Sequence, residues 1–195
     1  MAIEIRRLTG EELKKTLGAL AQLRISVFRA WPYLYEGSLD YEEKYLGRYA
    51  ETEGAVIVGA YDGDRLVGAA TGEPLGGEYD AFQAPLRAKG FDPDKLFYMA
   101  ESVLDPAYRG RGIGHRFFDE REAHAKELGF DEAVFCAVVR PDDHPMKPAD
   151  YRALDSFWTK RGYAKLEGVM VAFPWQDVGE SEETDKPMQV WHRRF

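Results

Sequence analysis

The sequence has very little cysteine and no long run of apolar residues. Cys136 is the only cysteine in 195 residues, so no disulfide bond can form within the chain. No apolar run approaches the roughly 18 residues that a membrane-spanning helix needs, and the first residues lack the apolar core of a signal peptide. These absences predict a cytoplasmic protein that has no membrane as a partner.

Basic residues are also in deficit. Lys and Arg together number 26, against 34 for Asp and Glu, which gives a net charge of -8. Such a charge repels nucleic acid but tolerates cationic substrates, so we expect no nucleic-acid partner. The length and the hydrophobic content of 45% predict a single domain over residues 1–195. The sequence leaves the oligomeric state open, a homodimer included.

Residues that bind metals are scattered along the chain. Only Asp142, Asp143 and His144 are adjacent, and they lie in a proline-rich segment. Consecutive residues converge poorly on one ion, so we expect no metal. Cys136 lies within the apolar run Ala-Val-Phe-Cys-Ala-Val-Val, which indicates a buried thiol rather than a catalytic nucleophile.

Hydrophobic periodicity predicts a mixed arrangement of strands and helices. The predicted strands are 3–5, 54–61, 65–73, 97–104, 131–139, 164–173 and 188–194. The first predicted helix ends at about residue 28, and further helices are predicted over 38–49, 112–128 and 149–161. A short helix is predicted near 80–89. Thr9 and Glu12 form a capping-box pattern before the first helix. A hairpin around Asp62-Gly63 and a strand–helix–strand crossover over 97–139 predict an α/β (α+β) fold, with helices covering a mixed central sheet of about seven strands.

The segment 109–115 reads Arg-Gly-Arg-Gly-Ile-Gly-His and lies at a predicted strand-to-helix turn. Glycines let backbone N–H groups approach an anion, and the N-terminus of the helix favours negative charge. A P-loop is excluded because Gly114 is not followed by Lys and then Ser or Thr. A dinucleotide fingerprint is excluded because His115 stands where its third glycine belongs. A different phosphate ligand is therefore indicated.

The segment resembles motif A of the GNAT superfamily of acetyl-CoA-dependent N-acetyltransferases, through Arg109, Gly112 and Gly114. Residues 151–163 resemble the family's motif B helix and its Gly-aromatic step. The resemblance implies the GNAT acyl-CoA N-acyltransferase fold, with acetyl-CoA as co-substrate. It implies that the loop amides bind pyrophosphate and that pantetheine lies between strands 97–104 and 131–139. The implied cofactor residues are Ser102, Val103, Leu104, Arg109, Gly110, Arg111, Gly112, Ile113, Gly114, His115 and Trp158.

The sequence leaves two interpretations open for His115 and for Trp158. His115 either contacts phosphate or is an exposed residue of the first helical turn. Trp158 occupies the position where many relatives have a tyrosine acid, and an indole is not a useful proton donor. We expect it to pack against coenzyme A or the core. Tyr151, seven residues earlier and on about the same face of the predicted helix, replaces it as the acid, with water as an equal alternative.

Glu101 is the predicted general base. On strand 97–104, alternation places it on a face whose other residues are apolar. These are Phe97, Met99 and Val103. Relatives commonly carry a carboxylate on this strand, and the alternative for Glu101 is a buried ion pair. Backbone N–H groups of residues 102–104 are the implied donors to the oxyanion.

The acceptor is less defined by the sequence. Trp31, Tyr33 and Tyr35 belong to an aromatic loop that either lines a groove for a cationic amine or packs into the core. We expect acetyl transfer to a primary amine of a small molecule or peptide, with a longer acyl donor left open. The alternative is a non-catalytic acyl-CoA-binding or interaction protein that kept the loop and lost the chemistry.

Overall fold

One seven-stranded sheet organises the protein. The structure, a computed structural model, describes residues 2–8, 10–77 and 80–195. The strands are β1 Glu4–Leu8, β2 Val56–Asp62, β3 Arg65–Pro74, β4 Leu96–Leu104, β5 Glu132–Val138, β6 Ala164–Gln176 and β7 Glu183–Arg194. The helices are α1 Gly10–Phe28, α2 Leu39–Glu51, α3 Asp80–Ala88, α4 Ile113–Glu127 and α5 Asp155–Lys160.

The sheet is mixed, with strand order β1-β2-β3-β4-β5-β7-β6. Among the described strands, β4 and β5 form the one parallel pair, and the other neighbours are antiparallel. The predicted hairpin is confirmed, because β2 and β3 pair up to Asp62 and Arg65 around Gly63, which has φ +61. The crossover through α4 makes β4 and β5 parallel, as predicted.

Helices cover both faces of the sheet, which confirms the predicted fold class. Helices α1 and α2 bury Leu20 and Leu46 against Ile57 of β2, and α3 packs on the same face further along the sheet. On the opposite face, α4 buries Phe117 among residues of the central strands, and α5 packs beside it. Tyr33 contacts the clusters beneath both α1 and α3.

Helices α4 and α5 both end at the glycine that the sequence indicates. Gly129 and Gly162 have φ values of +90 and +88, which favour glycine. After α4, the N–H of Phe130 donates to the carbonyl of Ala125, and after α5 Tyr163 donates to Trp158 in the same way. These hydrogen bonds satisfy carbonyls that the helix ends leave unpaired.

Two predicted boundaries are wrong. The helix predicted over 149–161 is limited to Asp155–Lys160, because most residues of 149–154 are exposed and no packed face stabilises a turn there. The last strand begins at Glu183, well before the predicted start at 188, because it continues to pair with β6. The predicted capping box involves Thr9, which lies outside the described residues.

Candidate active site

Strands β4 and β5 separate along their length. They pair only where Leu96–Tyr98 lies beside Glu132–Val134. Beyond this point β4 stays with β3 as far as Leu104, while β5 stays with β7 as far as Val138. A gap therefore opens in the middle of the sheet, between the two strands that the resemblance implies.

A β-bulge lies beside this gap. Thr71 pairs with Glu101 and Glu73 pairs with Tyr98, so β4 carries one residue more than β3 over this interval. Before the bulge, Phe97 and Met99 pack against the α4 face. After it, Glu101 and Val103 lie on the α1 face.

The prediction that these four β4 residues share one face is therefore wrong, because an extra residue reverses the alternation of side chains. Ser102 turns to the α4 face, where its Oγ accepts a hydrogen bond of 2.9 Å from Arg121. The bulge gives Glu101 its orientation.

Glu101 is not isolated among apolar side chains. Its Oε1 contacts the guanidinium of Arg24 on α1, and Arg24 also pairs with Glu42 of α2, which is 0% exposed. Thr71 donates to the same Oε1 at 3.4 Å. Burial lowers the pKa of Arg24, but the charges of Glu101, Tyr45 and Glu42 together raise it above the ordinary value.

The second carboxylate oxygen of Glu101, Oε2, has a different environment. No donor among residues 2–8, 10–77 and 80–195 forms a hydrogen bond with it. It is also not among the buried atoms that lack a partner, so it is accessible. Glu101 thus uses one oxygen for its ion pair and leaves the other available to a ligand.

The ring of Tyr33 packs beneath α1 and α3, at 4.7 Å from the ring of Phe28 and 5.9 Å from that of Trp175. Burial raises the pKa of Tyr33 most, and the charges of Cys136 on β5, Glu101 on β4 and Tyr151 raise it further. The charges of the predicted base and the predicted acid therefore both act on Tyr33, whereas those that act on Tyr151 itself are Asp155 and Lys147. We call Arg24, Tyr33 and Glu101 the Glu101 cluster.

Tyr151 lies on a loop, not on α5. Its ring lies edge-on to Trp31 at 5.9 Å, and Trp31 also contacts the ring of His144 at 5.0 Å. Burial and the charge of Asp155 raise the pKa of Tyr151, so its phenol is protonated at neutral pH. The argument that placed Tyr151 on the helical face of Trp158 is wrong.

The aromatic loop is held in place by a half-buried arginine. Arg140, just after β5, forms hydrogen bonds of 2.6 and 2.8 Å with the carboxylate of Asp177 and donates to the carbonyl of Pro32 at 2.8 Å. Trp175 donates to the carbonyl of Tyr33 at 3.1 Å. Tyr35 forms an isolated bridge with Asp177. The loop thus has a fixed position beside the Glu101 cluster.

Residues 109–115, which we call the phosphate loop, connect β4 to α4. Gly110 and Gly112 have φ values of +76 and +77, and a Cβ built on either would meet nothing within 4 Å. Within the described chain, none of the backbone N–H groups of residues 110–114 donates to a carbonyl or side chain. Donors without partners at the start of a helix form a site for an anion.

The approach to the loop is anchored by polar contacts. The hydroxyl of Tyr108 donates to Asp62 at 2.8 Å, and Arg65 forms an ion pair of 2.8 Å with Asp105. Arg111 bonds the carbonyl of Ala107 at 3.1 Å and lies over the ring of Tyr108. Arg109 is exposed. The two arginines of the loop thus add positive charge beside the free amides.

His115 and Gly114 contact α5, the helix that carries Trp158. The ring of His115 lies 4.7 Å from that of Phe157, and its Nδ1 is 3.3 Å from the guanidinium of Arg161. A Cβ on Gly114 would touch Phe157 at 3.5 Å. Trp158 packs against Phe135 and Trp191 in the core. Its expected contact with the core is therefore present.

Several charged residues of the site were not found from the sequence. Arg24 and Arg121 interrupt the apolar faces of α1 and α4, four residues after Leu20 and Phe117 respectively. A charged residue at such a position is a signal of a specific partner. Arg140 has no comparable signal, because its partners come from distant loops.

The part of the chain that the structure describes holds no group of three or more His, Cys, Asp or Glu side chains placed to bind a metal ion. None of the helices in that part is long and apolar enough to cross a membrane. Cys136 is buried, as predicted, and burial raises the pKa of its thiol. The site consists of backbone donors, paired charges and aromatic hydroxyls.

Comparison with known proteins gives a consistent result. A family model described as the Acetyltransferase (GNAT) family matches residues 20–149. No curated protein sequence matches the chain.

Solved structures with the same fold include a ribosomal-protein-alanine N-acetyltransferase from Brucella melitensis, with TM-score 0.64, 15% identity and coverage of 98% of this chain and 99% of that one. An N-acetyltransferase from Staphylococcus aureus Mu50 has TM-score 0.64, 13% identity and coverage of 100% and 99%. The paia N-acetyltransferase from Thermoplasma acidophilum, in complex with coenzyme A, has TM-score 0.56, 15% identity and coverage of 100% of both chains. At these identities the likeness concerns the fold alone.

Proposed function

Because the chain belongs to the Acetyltransferase (GNAT) family, we propose that it transfers an acetyl group from acetyl-CoA to a primary amine of a small molecule or peptide. The observation that carries this proposal is the accessible Oε2 of Glu101, beside a gap in the sheet that leads to a loop of unpaired amides. Acetyl transfer needs an acceptor for the proton of the amine and a site for the anionic part of the cofactor. Strand β4 carries the first, and the loop that follows it carries the second.

The phosphate loop suits the pyrophosphate of coenzyme A. Its amides from Gly110 to Gly114 lack partners in the described chain, and space is open at Gly110 and Gly112. Arg109 and Arg111 add charge in a protein whose net charge is -8. Bound acetyl-CoA supplies the acetyl group as a thioester. Backbone groups of residues 102–104, on the strand that borders the gap, are the proposed donors to the carbonyl oxygen.

Glu101 is the proposed general base. Arg24 and Thr71 hold its Oε1, so the carboxylate has a fixed orientation and Oε2 is free to accept a proton from the amine. Trp31, Tyr33 and Tyr35 are proposed to contact the acceptor. Tyr151 is the proposed acid, because its phenol is protonated and its ring contacts Trp31 of the aromatic loop, and water is the alternative donor.

A second candidate function is binding of acyl-CoA without catalysis. The core position of Trp158 favours it, because the helix that carries the acid in many relatives has no proton donor at that place here. The two functions share the phosphate loop and differ in whether Glu101 takes part in a reaction.

A Glu101→Gln variant separates the two functions. If Glu101 is the base, kcat for amine acetylation falls by about 10²- to 10⁴-fold, because the amide cannot accept the proton. Release of free thiol from acetyl-CoA is measured with a panel of small-molecule and peptide amines. Glu120→Gln is the matched control, since Glu120 pairs with Arg7 on the outside of α4.

Three results would count against the proposal. Unchanged kcat in Glu101→Gln removes the base assignment. Binding of acetyl-CoA without thiol release from any amine in the panel supports the non-catalytic function. If no coenzyme A ester raises the thermal midpoint of unfolding, the phosphate loop does not bind this cofactor. A donor preference for succinyl-CoA would identify a longer acyl group.

A further inference from the structure

Arg121 of α4 is one of the most deeply buried residues in the protein, with 1% of its surface exposed. Its Nε donates to the carbonyl of Phe117 one turn earlier, at 3.1 Å. Its Nη1 donates to the carbonyls of Thr71 at 3.0 Å and Glu101 at 3.1 Å, and its Nη2 donates to Ser102 at 2.9 Å. The guanidinium therefore connects α4 to both β3 and β4.

The acceptors of Arg121 carry no charge. Among the described residues, no carboxylate forms an ion pair with it, whereas Arg24, Arg140 and Arg161 all have carboxylate partners. Burial lowers the pKa of Arg121 to about 10, so the side chain still carries its charge at neutral pH. A buried charge without a counter-ion reduces stability unless its hydrogen bonds compensate. An apolar side chain would fill this space at lower cost, so a role beyond filling the core is indicated.

The position of the Arg121 hydrogen bonds, beside the β3–β4 bulge, indicates what this role is. Thr71 and Glu101 are opposite each other in the β3–β4 register, next to the shift that defines the bulge. A bulge disrupts the ladder and leaves backbone groups without their usual partners. The guanidinium supplies donors to both carbonyls at this break. Its planar, fixed arrangement of donors suits several acceptors at once.

We propose that Arg121 is a positioning residue, which occupies the break in the β3–β4 ladder and holds the bulge that turns Glu101 towards Arg24. Loss of the bulge would shift the alternation by one residue and move the Glu101 side chain to the α4 face. The free Oε2 would then leave the gap. The catalytic part of this inference rests on the proposed acetyl transfer, whereas the structural part stands on the register of β4.

The test compares Arg121→Lys and Arg121→Gln with Arg193→Gln. Lys keeps the charge but lacks the planar set of donors, and Gln removes the charge. Arg193 is a suitable control because it pairs with Glu122 of the same helix and, within the described chain, its side chain forms no hydrogen bond or ion pair with β4. The crystal structure of each variant gives the register of β4. Calorimetry gives the Kd for acetyl-CoA, and thiol release gives kcat.

We expect both Arg121 variants to lower kcat by about tenfold or more while the Kd for acetyl-CoA changes by less than about threefold, because the phosphate loop is untouched. Arg193→Gln should change neither. Guanidinium ion added to an Arg121→Ala variant should restore part of kcat. The crystal structures should show Glu101 displaced from Arg24 in Arg121→Gln.

Other results would overturn the inference. A retained bulge and unchanged kcat in both variants mean that Arg121 does not position Glu101. Arg121→Lys that fails to fold, or loses kcat and cofactor binding equally, indicates a general role in stability. If the wild-type protein acetylates no amine, the proposed function fails, and the register of β4 in the variant crystal structures alone decides whether Arg121 holds the bulge.

Discussion

The two ends of the gap between β4 and β5 are built from different parts of the polypeptide. The phosphate loop uses backbone N–H groups, two glycines with positive φ and open space. The Glu101 cluster uses side chains from α1, β4 and the aromatic loop, held by the buried ion pairs of Arg24. The phosphate loop therefore depends on local backbone conformation, whereas the Glu101 cluster depends on contacts between distant segments of the chain. Substitutions at the two ends should therefore have different effects.

The largest expected effect on stability is at Arg24. Arg24→Met leaves Glu42, which is 0% exposed, without its cation. Removal of one partner of a buried ion pair costs about 3–5 kcal/mol, so the free energy of unfolding should fall by that amount. Urea unfolding measures it. Arg29→Met is the control, because its exposed ion pair with Glu36 contributes only about 0–1 kcal/mol. Equal effects of the two variants would contradict a central role for the buried pair.

The next largest effect is expected at Asp177, which contributes to the stability of the fold in a pH-dependent way. Burial raises the pKa of Asp177, but the hydrogen bonds and charge of Arg140 hold it below its usual range. A lowered pKa adds stability above the unfolded value of about 3.9, and this contribution disappears as the pH falls through the folded pKa.

Asp177→Asn should therefore lower the free energy of unfolding by about 1–3 kcal/mol at pH 7. The difference from wild type should shrink as the pH falls from about 4, where the unfolded carboxylate is protonated, towards the lowered pKa of the folded one. Unfolding by urea between pH 7 and pH 3 measures this. A difference that is constant over the whole range would show that Asp177 acts through shape and not through charge.

At the opposite end of the gap, Gly112→Ala should weaken cofactor binding. Its φ of +77 costs an alanine about 1–2 kcal/mol. Relief of that strain moves the loop amides, so the affinity for acetyl-CoA should fall by about tenfold, which calorimetry measures. Gly47→Ala in α2 is the control, since a Cβ there meets nothing within 4 Å and should stabilise the helix by about 0.5–1 kcal/mol. Unchanged affinity in Gly112→Ala would remove the loop from the binding site.

The smallest effect is expected for Tyr151→Phe. The ring and its contact with Trp31 are kept, while the hydroxyl is lost. We expect kcat to fall by about tenfold with no change in KM for acetyl-CoA, because water replaces part of the proton donation. Steady-state kinetics over a range of pH measures this. If kcat is unaffected, water alone is the acid and Tyr151 only packs against Trp31.

The sequence predicts the phosphate loop better than the Glu101 cluster. Glycines at Gly110 and Gly112 and the start of α4 are local signals, and the structure agrees with the turn that they indicate. The sheet order follows from short hairpins and one crossover, which are also local. Alternation in β4 identifies Glu101 but assigns it to the wrong face, because nothing in the local sequence indicates the extra residue of β4 opposite Gly72.

Long-range contacts explain the other differences. Tyr151 lies beside Trp31 because the first half of the predicted helix is a loop, whose residues are mostly exposed and have no packed face. Arg24 meets Glu101 across 77 residues of sequence, at a distance that periodicity does not describe. Side-chain pairing of this kind is decided by the assembled sheet and not by any one element.

The separation of β4 and β5 gives the sheet two internal edges in addition to its outer edges at β1 and β6. A strand edge presents a row of N–H and C=O groups that accepts another extended chain. Each internal edge is supported from its other side, because β4 is bonded to β3 and β5 is bonded to β7 along their separated parts. The gap therefore has the hydrogen-bonding character of a missing strand, which suits a narrow, extended molecule that carries amide groups of its own.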